Sequence, residues 1–191
     1  MAKKQTRSRA EQTRSRAERL THPLLEKLGP IPAAAEVFLY SVKIVCGKQT
    51  ETNCCFVAGA RPGVYATEVN IQNLNPAAPA QVVKAVLPLI NSGAVVAREP
   101  NVFDPATLPK HQVEAVLLPP LGVTMDDCCR IAEMLPAPSG ETPLTIAILS
   151  IASPLELSVS AVYTANPLNG DGISIDVEYI PSGRLVIGGA G

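Results

Sequence analysis

The chain has no tryptophan, and aromatic residues make up only 4% of its 191 positions. Histidine occurs twice, at His22 and His111. A Cys/His enzyme would therefore have to rely on His111, which sits in a Pro109-Lys110-His111 stretch with the character of a surface loop. No GxSxG elbow, P-loop or GxGxxG stretch is present. Nor is there an apolar run long enough to suggest a membrane-spanning helix. The basic N-terminus is not followed by the apolar segment of a signal peptide, so cytoplasmic synthesis without export is expected. Charged residues are few, at 17%. With 47% hydrophobic residues, however, the chain can bury a real core and is not disordered as a whole.

Proline is abundant, with 18 residues, and favours short segments separated by turns over long helices. Charge is unevenly spread. Residues 1–27 carry eight cationic side chains against Glu11, Glu18 and Glu26, a net +5, so the remainder carries −6. This N-terminal part includes a perfect tandem repeat, Gln5–Glu11 followed by Gln12–Glu18. Its seven-residue period offers only alanine for an apolar seam, which is too little for a coiled coil. Residues 1–28 therefore read as a basic arm that is solvated or helical only on contact with a partner. Lys3, Lys4, Arg7, Arg9, Arg14, Arg16 and Arg19 are its candidate nucleic-acid contacts through phosphate neutralisation. Interleaved glutamates and the lack of a stacking aromatic weaken that reading.

Residues 29–35 form a Gly/Pro hinge, and a folded body is expected over 36–181, with a Gly-rich tail at 182–191. Alternation of apolar and polar residues predicts strands at Glu36–Cys46, Val64–Asn73, Leu155–Thr164 and Ile173–Ile180. Gln81–Ile90, interrupted by Pro88, and the uniformly apolar Leu144–Ala152 add two more, the latter an internal strand. In the last strand Ile173, Ile175, Val177 and Tyr179 are expected to face the core, with Asp176 and Glu178 on the solvent side. Asn169-Gly170-Asp171-Gly172 between the final two strands marks a hairpin. One short helix is expected at 124–135, capped by Thr124, with Asp126 and Asp127 in its first turn. The fold class is mainly β: an antiparallel sandwich of the immunoglobulin-like or jelly-roll kind.

The concentrated chemistry is in five cysteines: Cys46 and the doublets Cys54-Cys55 and Cys128-Cys129. Neither doublet has the Cys-x2–4-Cys spacing of a zinc knuckle. A metal site would need Cys46, Cys54, Cys128 and His111 together. A disulfide between Cys46 and Cys54 or Cys55 would span the polar loop from Gly47 to Asn53, and Cys128 or Cys129 could bridge to the remaining member, leaving an odd thiol for a partner subunit. Alternatively, the thiols are small core residues, the best single reading for Cys46. Adjacent residues point apart on strand or helix, so each doublet suits one buried and one outward sulfur. All five are thus thiol or cross-link candidates and none is assigned to catalysis.

Tyr40-Ser41-Val42-Lys43-Ile44-Val45-Cys46-Gly47, Arg61-Pro62-Gly63-Val64-Tyr65-Ala66-Thr67-Glu68-Val69-Asn70-Ile71-Gln72-Asn73, Ala161-Val162-Tyr163-Thr164 and Ser174-Ile175-Asp176-Val177-Glu178-Tyr179 resemble stretches of a group of short bacterial β-sandwich proteins. The resemblance covers most of the body but not the arm. It implies a fold and no catalytic residues, and it carries an association with spore formers. Together these features lead to a non-enzymatic assembly protein as the expected function. It would be a self-associating subunit of a particle, filament or spore-type surface layer, without cofactor, held by cysteine and arm contacts. A soluble metal-binding or nucleic-acid-binding module is the alternative.

Overall fold

Period-two alternation becomes ten antiparallel strands among the described residues of the computed structural model, which are 23–29, 35–50, 60–108, 112–135, 143–169 and 172–187. The strands are β1 (Glu36–Gln49), β2 (Gly63–Asn73), β3 (Ala80–Asn91), β4 (Ala94–Val95), β5 (Val113–Leu118), β6 (Val123–Asp126), β7 (Thr145–Ser153), β8 (Leu157–Asn166), β9 (Ser174–Tyr179) and β10 (Gly183–Val186). Two helices are described, α1 (Pro23–Glu26) and α2 (Cys128–Met134). The bonded order is β4-β3-β7-β1-β2-β8-β9, with β5 on β3, β6 on β2 and β10 on β1.

Strand β1 is the common member. Phe38–Cys46 pair with β7, whereas Gly47–Gln49 pair with β2. The change of partner falls at Gly47, whose φ of 100° is accessible mainly to glycine. Val42 and Ile44 of β1 meet Val82 and Val86 of β3, Leu149 and Ile151 of β7, Val69 and Ile71 of β2, and Val159 and Ala161 of β8 in one core. Strand β7, between β3 and β1, is buried along most of its length and is the internal strand its apolar run predicts. Strand β3 continues through Pro88, with a register shift between Pro88 and Ile90.

Four expectations need correction. The helix begins later than 124: Val123–Asp126 pair with Val69–Gln72 of β2 instead. Asp127, not Thr124, is the N-cap, its carboxylate accepting from Arg130 N at 2.9 Å. The body also reaches beyond both expected boundaries. Leu24 and Leu28 are buried against Val37, Val83 and Ala152, covering apolar surface on the second face of β1 and β7. At the other end, Gly183–Val186 pair with Glu36–Leu39 and belong to the fold rather than to a tail. Finally, the faces of β9 are reversed. Pairing sets Glu178 opposite Ala161 and Asp176 opposite Tyr163, on the core-facing side of β8. Ile175, Val177 and Tyr179 therefore share the outer face with Thr164, Val162 and Ser160. A period of two makes either phase equally regular in sequence, and only the register decides between them.

Asn73 shows how strand ends are held. Fully buried, its amide donates to Ala78 O (2.9 Å) and Pro119 O (3.0 Å), and its Oδ1 accepts from Asn75 N (3.0 Å). Asn70 bonds the side chain of Glu68 instead of the backbone.

Among the described residues the core also contains an ion pair, Lys84 Nζ to Asp126 Oδ1 at 2.6 Å, with both side chains almost fully buried. It ties β3 to the end of β6 across the core. Removing one partner strands a charge, so Lys84→Met or Asp126→Leu should each cost about 3–5 kcal/mol. The double substitution should be much closer to the parent, because no charge is then left unpaired. Urea unfolding midpoints check this; additive losses in the double variant would contradict it.

Candidate functional site

Cys46 is the last β1 residue paired to β7, and its side chain turns into the core on the same face as Val42 and Ile44. Cys128 opens α2, which packs its Ile131 and Met134 into that core. The two sulfurs meet as a disulfide, with Cα atoms 5.7 Å apart and a separation of 82 positions in sequence. This corrects the expected bridge from Cys46 to Cys54 or Cys55. The side-chain direction of Cys46 favours a partner across the core over one beyond its own loop. Next to Cys128, Cys129 is a free, exposed thiol.

The disulfide takes two of the four ligands from the metal set Cys46, Cys54, Cys128 and His111, since bonded sulfurs are not thiolates. Cys54, Cys55 and His111 lie outside the described residues, as do Lys3, Lys4, Arg7, Arg9, Arg14, Arg16 and Arg19. Among the described residues no group of three or more His, Cys, Asp or Glu side chains is placed to hold a metal ion.

Thr67 completes the joint. Its backbone N–H points at Cys128 Sγ (3.3 Å), and its hydroxyl both accepts from Val45 N (3.0 Å) and donates to Val45 O (3.1 Å). One side chain thus satisfies both main-chain groups of a β1 residue where β1 faces away from β7. Residue spacing gave no sign of this role, although Thr67 falls within the Pro62–Asn73 stretch that carries the resemblance.

The bonding of Val45 fixes the polarity of the whole strand. Main-chain groups alternate in direction along a strand, so those of Ser41 and Lys43 also point away from β7. Strand β10 covers that edge only as far as Leu39, and β2 takes it up only at Gly47. Between them no described residue pairs with the backbone of Ser41 or Lys43. This edge opens into a cavity of about 870 Å³. Leu24, Leu25, Leu39, Leu185, Ile151 and Ile180 supply its apolar walls, and Tyr163 and Glu178 a polar side. A second hollow of about 360 Å³ shares Lys43 and Tyr163 with it and continues past Thr67 to Asp176.

Tyr163 OH donates to Glu178 Oε2 at 3.2 Å. Partial burial, reinforced by the charge of Glu178 and this bond, pushes the Tyr163 phenol up to about 12. Tyr40, with its hydroxyl between Leu157 O and Leu157 N, is also raised, chiefly by burial.

No protein-family model and no curated protein matches the sequence. Among solved structures, one titled "Crystal Structure of Thermotoga maritima 1070" aligns over 79% of this chain and 96% of its own. It does so at 11% identity and a TM-score of 0.40, a likeness too slight to carry an argument about function.

Reducing the Cys46–Cys128 bond, or substituting both residues with alanine, should cost about 4 kcal/mol, because the bond closes a long loop in the unfolded chain. Iodoacetamide should label Cys129 in the folded, oxidised protein, and Cys46 and Cys128 only after reduction; peptide mapping and unfolding midpoints read both. For Tyr163 the folded chain holds the proton more tightly than the unfolded one. Its contribution to stability is therefore full below the ordinary tyrosine range and is lost as pH rises from about 10 to about 12. Tyr163→Phe should flatten this alkaline fall, with Tyr40 left as a remaining contributor; an unchanged slope would contradict the assignment.

Proposed function

We propose that this protein is a non-enzymatic assembly subunit, with its two bonded sections packed as a β-sandwich. The supporting observation for the sandwich is that alternate residues of β1, β3 and β7 share one core with those of β2 and β8. The observation that carries assembly is the outer row of β9. Ile175, Val177 and Tyr179 are each 64–66% exposed on one face of an edge strand, beside an equally exposed Ile173. A contiguous apolar row of this kind marks a contact surface.

The contact uses the face of β9 rather than its edge. Edge-to-edge pairing of two copies centred on Val177 would set Asp176 opposite Glu178, and like charges directly opposite are destabilising. Face packing buries the apolar row and leaves both carboxylates outside the contact. Exposed Cys129 adds a covalent link under oxidising conditions, and the basic arm and the more acidic remainder of the chain give neighbouring copies complementary charge.

Native mass spectrometry and light scattering test this reading. The parent chain should be a dimer or larger in both oxidised and reduced samples, with oxidation adding covalent species through Cys129. Val177→Lys should yield monomers with an unchanged far-ultraviolet circular dichroism spectrum, and an unfolding midpoint lowered only by the lost association. A parent chain that is monomeric with and without reductant would refute the proposal.

A further inference from the structure

The stretch of β1 that no described residue pairs lies on the opposite side of β8 and β9 from the apolar row, and it has the makings of a second, distinct binding site. From Tyr40 to Ile44 the open edge is about 17 Å long at the usual rise per residue. It presents two N–H donors and two C=O acceptors, those of Ser41 and Lys43, in a cavity of about 870 Å³ with largely apolar walls. Unpaired main-chain groups at an exposed sheet edge are a template for another strand. Here the flanking positions are closed, by β10 up to Leu39 and by Thr67 at Val45, so the template has a defined start and end. We propose that this edge binds an extended segment of a partner polypeptide by strand addition, with alternating apolar and basic side chains.

The sheet geometry sets the pattern. Side chains of an added strand opposite Ser41 and Lys43 join the outer row of β1, where Leu24, Leu25, Leu39 and Leu185 form the wall. Those positions call for apolar residues, and the nearby ammonium of Lys43 disfavours a second cation there. Side chains opposite Tyr40, Val42 and Ile44 turn the other way, toward Tyr163, Glu178 and Ile180. Aliphatic stems fit against Ile180 and the Tyr163 ring, and a terminal cation meets the Glu178 carboxylate, with Asp176 further along the groove. Lysine or arginine therefore suits the inner row. Main-chain bonds supply affinity and the two rows supply selectivity.

The test uses the full chain and blocked synthetic peptides of about seven residues, long enough to cover the open edge. One alternates valine with lysine, a second alternates valine with glutamate, and a third is the valine–lysine peptide N-methylated throughout. Calorimetry should show the valine–lysine peptide binding at least about tenfold more tightly than either other. Its addition should shift the amide resonances of Ser41 and Lys43, and Glu178→Lys should reverse the lysine-over-glutamate preference. No binding of the valine–lysine peptide at millimolar concentration would overturn the proposal. Equal binding of the N-methylated peptide would also overturn it, by showing that the main chain is not read. If the Ser41 and Lys43 resonances instead move with protein concentration alone, the occupant is a second copy and the partner proposed here is wrong. The assembly reading is tested separately, through Val177.

Discussion

A single strand has to serve two sections of sheet, and the rest of the molecule follows from that constraint. Strand β1 pairs with β7 along Phe38–Cys46 on one edge and with β2 along Gly47–Gln49 on the other. Gly47, with a φ of 100°, stands where the second partner takes over. The Cys46–Cys128 bond fixes α2 against the strand at that point, and Thr67 supplies main-chain partners where no strand is near enough. Glycine, disulfide and threonine solve one problem, and they fall within three residues of one another on β1 or bond directly to it.

Among the described residues the same arrangement leaves the middle of the strand uncovered. Strand β10 is short and approaches from one end, while β2 approaches from the other. Ser41 and Lys43 lie between them, and Tyr163 and Glu178 across the groove. Strand β9 contributes to both proposed surfaces with opposite faces: carboxylates toward the groove and an apolar row toward solvent. Its register on β8 thus sets the character of both.

Much of the mainly antiparallel β-structure was legible in the residues, for particular reasons. Strands β1 and β8 are long, regular and bounded by turn chemistry, so alternation located them within a few residues, and an unbroken apolar run located β7. The phase of β9 was not legible, because Ser174–Tyr179 alternates equally well either way and its neighbours decide. The start of α2 was misplaced because Thr124 and Asp126 resemble a helix entry, whereas pairing with β2 and the ion pair to Lys84 hold Asp126 in a strand. The cysteine pairing crosses 82 residues, and sequence spacing carries no information at that range. The open edge was also out of reach, since it depends on where two other strands stop.

Residue-resolved amide hydrogen exchange along β1 tests the central claim most directly. In the free protein the N–H groups of Val42 and Ile44, directed at β7, should exchange slowly, and that of Val45 should be slow through its bond to Thr67. The amides of Ser41 and Lys43 should exchange much faster than these neighbours. Uniform protection from Tyr40 to Cys46 would show that the edge is already paired and would contradict the account.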